Sequence, residues 1–425
     1  MRFRARSLRL STPALAAALT LSCGESTGPS PSPSGFEPGL LGAVTLEQGE
    51  PVRIRSLLSM SGAPSLGEAA RRAAELAVAD IGTVQGRDID LGDALDSMCS
   101  PEGGEAAARQ VVANPQVAGV IGTNCSAAAV AASPVISGAG YVMVAPSTTS
   151  PLLTSDLAGN ANPDNHPGYF RVSNNDLYQA RALSDFAFNQ LGLRRVATVH
   201  DGDPYTSALV EAFASAFGAL GGQIPAEASI EKRQTDMTQV LSEFAAAGPD
   251  GIFFPLFATE GSAFAQQART FDGLEGVTLV SGSALLVADV LSMPHSEGMY
   301  FAGPESDFGS NVNEATGQSG EAVLAAYEAA YGGAPPSPYW AHAYDATTLL
   351  LTAIGSVAVE EGERLHIDRA ELRAELGRMR LQGLIGEISC DDFGDCGTQR
   401  INIVHHTDSR VSDVAQLPVV YRFAP

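Results

Sequence analysis

The stretch from Val117 to Thr154 constrains the fold most, because it sets out strand, helix and strand in the order that builds a parallel sheet. Val117 to Ile121 and Tyr141 to Val144 are short apolar runs of the kind buried inside such a sheet. The Ala-rich segment Ser126 to Ile136 between them has the length of a crossover helix. Each run ends in a turn of small polar residues, so both turns fall at the carboxyl ends of neighbouring strands, where open α/β sheets collect ligands. Ser126 is expected to cap the helix, whose free N–H groups would face a small anion such as a carboxylate.

The same alternation runs through nearly the whole chain. Further strand candidates are Val52 to Leu58, Ile89 to Leu95, Arg195 to Val199, Gly251 to Pro255, Val277 to Val280 and Met299 to Ala302. Helices are expected to begin near Leu66, Gly104, Pro204, Asp236, Glu260 and Ala284. Asp203 and Pro204 pair a capping acid with a proline at the first helical position. Two such sheets exceed one compact core, so the 425 residues, 45% of them hydrophobic, are read as two doubly wound parallel-sheet α/β lobes.

The amino terminus reads as an export signal. Residues 1–22 carry Arg2, Arg4, Arg6 and Arg9, then an apolar stretch from Ala14 to Leu21, then Ser22, Cys23 and Gly24. A small residue before a cysteine, with glycine after it, looks like a bacterial lipobox, which makes Cys23 a lipidation site. The competing reading is ordinary signal cleavage with Cys23 left as a thiol. Residues 23–50, rich in Pro, Ser and Gly, are expected to form an extended tether. With Cys23 set aside, Cys99, Cys125, Cys390 and Cys396 remain. An even remainder in an exported chain points to two disulfides, and Cys390 and Cys396 enclose an Asp/Gly loop that a bridge would close.

Several function classes lose support. The formal net charge of −23 disfavours nucleic acid as a partner. The cysteine spacings are not those of zinc pairs, and His166, His200, His295, His342 and His366 are scattered. His405 and His406 are adjacent on a predicted strand and point to opposite faces. There is no phosphate loop, no G-x-S-x-G and no H-E-x-x-H, so no metal or cofactor is expected and nothing argues for catalysis.

The run from Val120 to Thr154 resembles the type 1 periplasmic binding proteins, specifically the branched-chain amino acid and amide receptors that feed ABC importers. Val52 to Gly62 looks like that family's first strand and ligand-side turn, and Tyr169 to Val172 like its first hinge crossing. Val199 to Tyr205 looks like the opening of its second lobe. Ala341 to Leu351, followed by residues 383–396, looks like its last long helix and closing segment. The resemblance implies chain crossings near Arg171, Gly303 and Gly383. One lobe would hold residues 51–171 and 304–380, and the other residues 172–303 and 381–425, joined by a three-crossing hinge. It also implies a Cys99–Cys125 disulfide.

Under the resemblance, Ser126 holds a ligand carboxylate, and Ser147 and Thr149 use a carbonyl and a hydroxyl to hold an α-amino acid. Thr148 exchanges roles with Thr149 if the register shifts by one. Ser61 and Leu66 would form the near wall, while Tyr205, Phe257 and Ser283 would face across from the second lobe. Receptors for amino acids in this family commonly place an acid where Ser283 stands, to pair with the ligand ammonium, so an ammonium here needs Asp201 or another acid to reach the site. The implied function is capture of a small polar ligand (amino acid, carboxylate or amide) for an ABC permease. The protein is expected to be a monomer outside the cytoplasm, periplasmic or at the cell surface, held to the membrane by the lipid alone. A ligand-sensing subunit of a membrane receptor and an α/β hydrolase are the alternatives.

Overall fold

A computed structural model of the protein describes residues 35–425, so the expected signal segment 1–22 and Cys23 lie outside the described residues. The first sheet grows around Val52–Leu58, whose alternate residues are buried. This strand pairs in parallel with Arg87–Asp90 and Leu95–Asp96 on one side and with Val117–Gly122 on the other. Met143–Ala145 and Tyr169–Arg171 then continue the sheet in parallel. The expected strand Ile89 to Leu95 is thus two short strands, broken where Gly92 takes a left-handed φ of 62°. The helix Trp340–Val357 packs on the first sheet and is buried along most of its length, with Leu349, Leu350 and Ile354 in the core.

In the second sheet Glu227–Ser229, Val196–His200, Gly251–Phe253, Thr278–Ser281 and Met299–Pro304 run parallel. Ile401–His406 and Val419–Phe423 close the edge antiparallel. On Ile401–His406, His405 stacks on Tyr300 while His406 is buried against Ser296, the opposite-face placement that a strand demands.

A small third sheet corrects one expectation. Ala43–Leu46, assigned to the tether, is a strand that pairs antiparallel with Arg364–Asp368, because Val44 and Leu46 alternate into the first core.

The chain passes between the two sheets after Arg171, after Pro304 and before Ile401. The last passage lies later than the expected Gly383, since Leu381, Leu384, Ile388 and Cys396 all pack in the first core. Asp345 holds this closing segment in place: its buried carboxylate accepts the backbone N–H groups of Leu384 and Ile385, both at 2.9 Å, and the Asn313 amide at 2.8 Å. Gly383 passes so close that a Cβ there would sit 2.5 Å from Asp345 Oδ2.

Arg171, fully buried, joins the first and last passages. Its guanidinium pairs with Asp395 and donates to the carbonyl of Ser150 at 2.7 Å and to Thr154 Oγ1 at 2.7 Å. The backbones also join, with Arg171 N donating to Gly394 O and Cys396 N to Arg171 O, each at 2.9 Å. Removing one partner of a buried ion pair strands the other. Arg171→Met is therefore expected to lower stability by about 3–5 kcal/mol, read as a lower urea midpoint with an unchanged slope.

Candidate binding site

The two polar turns at the end of the first sheet meet the second sheet across a tightly closed cavity of about 20 Å³, lined by Leu66, Ser126, Ser147, Thr149, Tyr205, Phe257 and Ser283. Asn124, Cys125, Ala284 and Tyr339 complete it. Outside lies a larger vestibule of about 480 Å³ that shares Phe257 and is open to solvent.

Local structure explains the placement. Ser126 opens the helix Ser126–Gly138, but Cys125 is its cap and makes no side-chain capping bond. The expected capping role is therefore corrected: Ser126 lies inside the first turn, with its hydroxyl in the cavity wall accepting Ser150 N at 3.3 Å. The first-turn N–H groups still point outward from the strand end, as a helix N-terminus requires. Ser147 Oγ is tied to Asn124, accepting from its amide and donating to its carbonyl, both at 3.2 Å. Thr148 turns away to bond the buried Tyr169 hydroxyl, so Thr149 is the threonine that lines the cavity.

Opposite, Asp203 caps the helix Pro204–Ala219 through Tyr205 N at 2.9 Å and so aims Tyr205 inward. The Tyr205 ring meets Phe257 at 5.6 Å, and its hydroxyl accepts Ala284 N at 3.4 Å. Burial pushes the phenols of Tyr205 and Tyr339 well above their ordinary range, so both remain protonated donors beside Ser283. Gly282 leaves room for this arrangement, since a Cβ there would lie 2.4 Å from the Tyr205 hydroxyl.

Ser61 stands apart. It is exposed, and its hydroxyl donates to Asp96 at 2.6 Å, so it does not form the near wall and Leu66 does. The Cys99–Cys125 and Cys390–Cys396 disulfides are both formed, and the first ties the vestibule wall to the cavity turn. Among the described residues no His, Cys, Asp and Glu cluster is suited to a metal, and no helix is long and apolar enough to cross a membrane.

Behind Thr149 lies an acid that sequence reasoning missed. Asp176 is fully buried and accepts the Thr149 hydroxyl at 2.9 Å on Oδ2, while Oδ1 has no partner. Its helix is capped by Asn175, which in turn donates to Asp395, so the acid hangs from the Arg171 cluster. No local motif marks Asp176; its neighbours Asn174 and Asn175 read as a turn. Asn124, in contrast, stands in the same strand-end turn as Ser126 and could have been found there.

Two doubly wound sheets closing on a small cavity of hydroxyl and aromatic groups define a solute-binding architecture. The sequence profile of the periplasmic binding protein family matches residues 51–404, and the chain belongs to that family. An amino acid binding protein of Pseudomonas aeruginosa is 26% identical over 336 residues, covering 78% of this chain and 83% of the relative. The structure of the leucine binding protein LivK from Thermotoga maritima superposes with a TM-score of 0.75 at 23% identity, covering 88% of this chain and 99% of that one. A solute binding protein of R. palustris in complex with benzoate gives 0.71 at 21% identity, with 88% and 97% covered.

Burial pushes the Asp176 carboxyl up to about 7. A carboxyl whose folded value lies above its unfolded value, about 3.9, holds its proton more tightly in the folded state, so it costs stability as pH rises from about 4 to 7. In the ligand-free protein, Asp176→Asn is expected to raise the melting temperature at pH 8 and leave it nearly unchanged at pH 4.5. Equal shifts at both pH values would contradict the assignment.

Proposed function

We propose that the protein captures a free α-amino acid in this cavity and delivers it to an ABC permease. The observation that carries the reading is the pairing, across two neighbouring strand-end turns, of a helix N-terminus at Ser126 with a hydroxyl, Thr149, that leads to a buried acid with one oxygen unpartnered. The ligand carboxylate lies at Ser126 and the first-turn N–H groups. Its ammonium lies at Thr149, with Asp176 supplying the negative charge that Ser283 lacks. Tyr205, Phe257 and Tyr339 cover the ligand from the other side, so the closed state is populated because it adds their contacts. The relatives, which include an amino acid binding protein and a Leu/Ile/Val-binding protein of Escherichia coli, support an amino acid over a plain carboxylate.

Calorimetry with a panel of free amino acids is expected to find a ligand whose affinity falls by about 1–3 kcal/mol in Ser126→Ala and again in Thr149→Ala, each of which strips a hydrogen bond to a charged group. Unchanged affinity in both variants places the ligand elsewhere. The family's extracytoplasmic setting agrees with the export signal, and lipidation at Cys23 would hold the protein at the membrane. Labelled fatty acid should enter the wild type and be absent from Cys23→Ser.

A further inference from the structure

The vestibule outside the cavity carries a second, differently charged wall. Asp201, 7% exposed, lines it at the end of the strand Val196–His200. Its Oδ1 is spent on the local loop, accepting Thr206 Oγ1 at 2.5 Å and Asp203 N at 3.0 Å, while Oδ2 is buried with no partner. Glu260, 4% exposed and in the first turn of the helix Ala258–Ala268, interacts with Asp201 directly. Burial first, and then the Asp201 carboxylate, push the Glu260 carboxyl up. Two adjacent buried acids cannot both ionise cheaply, so the Glu260 carboxyl holds a proton toward Asp201 unless a cation joins them.

The cations already present fill that role only in part, since Lys232 offsets some of the Glu260 charge while its own partner is Asp203. Lys232 is held by Asp203 at 2.6 Å, and Arg233 lies exposed on the vestibule rim, as does Glu102 on the facing wall. A bare metal ion is poorly served, since no cluster of three or more ligating side chains exists among the described residues. An organic cation needs only the two carboxyls. Phe257 belongs to both the vestibule and the inner cavity, and Ala127 and Pro204 of the vestibule wall adjoin Ser126 and Tyr205 of the cavity. A side chain leaving the cavity past Phe257 therefore arrives at Glu260 and Asp201.

We infer that Asp201 and Glu260 form a cation-accepting subsite, so that the ligand is an α-amino acid bearing an ammonium or guanidinium at the far end of its side chain. This rests on the amino-acid reading of the inner cavity and narrows it. A guanidinium would bridge the free Asp201 Oδ2 and the Glu260 carboxylate with charge-assisted bonds, displacing the proton that burial retains there.

The test compares L-arginine with L-citrulline, its neutral near-isostere, by calorimetry on the intact protein. Arginine should bind at least about tenfold tighter, the scale of one charge-assisted hydrogen bond. In Glu260→Gln, and separately in Asp201→Asn, which keeps the Oδ1 acceptor of the loop, that ratio should collapse toward one. A wild-type ratio near one, a ratio that survives both substitutions, or failure of both compounds to bind overturns the inference, and the wild-type comparison stands without any variant. If both compounds fail while leucine binds in a Ser126-dependent way, the cavity reading holds and the cationic subsite alone is wrong. Binding of none of the free amino acids would remove the cavity reading itself.

Discussion

The buried ion pair between Arg171 and Asp395 is the constraint on which the site depends. A guanidinium with no exposure needs every donor matched, and here the matches come from different parts of the chain: the Ser150 carbonyl of the cavity turn, Thr154 beyond it, and Asp395 in the closing segment. Asp395 then uses its other oxygen on Thr154 and Asn175. One charged group thus fixes the turn that presents Thr149, the helix start that presents Asp176, and two of the three passages between the sheets. A neutral side chain of similar size would fill the space without specifying any of these. This is the sense in which a costly buried pair can set geometry even where it adds little to net stability.

The binding surfaces are built against stability, and the pattern repeats. Asp176 and Glu260 are buried acids pushed up by burial, and Asp176 and Asp201 each keep an oxygen without a partner. Asp345, pushed up to about 6 by the same burial, shows the structural alternative: two backbone N–H groups and an amide satisfy it, and it anchors a segment. The contrast separates the two kinds of buried acid. Asp345, which serves the fold, has its hydrogen bonds made, whereas Asp176 behind the cavity and Asp201 in the vestibule wall each keep an oxygen unpartnered, as a group awaiting a ligand would.

The sequence carried the grammar of the fold because strand, turn and helix are local patterns. Alternating burial in Val52–Leu58, the alanines after Ser126 and the cap at Asp203 all express themselves within a few residues. It carried much of the cavity for the same reason, since Ser126, Ser147, Thr149, Tyr205, Phe257 and Ser283 each follow a strand. What it did not carry was set by distant partners. Ser61 follows a strand too, yet Asp96 captures its hydroxyl on the solvent side. Tyr339 comes from a loop with no strand before it, and Asp176, which does not line the cavity, is linked to it only through the Thr149 hydroxyl. The third passage fell later than expected because Asp345, far off in sequence, holds Leu384 and Ile385 in the first core.

The charge of the whole chain makes sense of the way each end of a ligand is held. At −23 the protein's field repels free anions and attracts cations. Among the described residues no lysine or arginine lines the inner cavity, so on this reading a ligand carboxylate is held by short-range neutral donors: the N–H groups at a helix start, the hydroxyl of Ser126, and the phenols of Tyr205 and Tyr339. Such donors act only once water is excluded, which couples recognition of the carboxylate to closure of the cavity. The acids Asp176, Asp201 and Glu260 work at longer range and with the overall field. They would draw a cationic group in before the neutral donors engage, so attraction and closure fall to different residues.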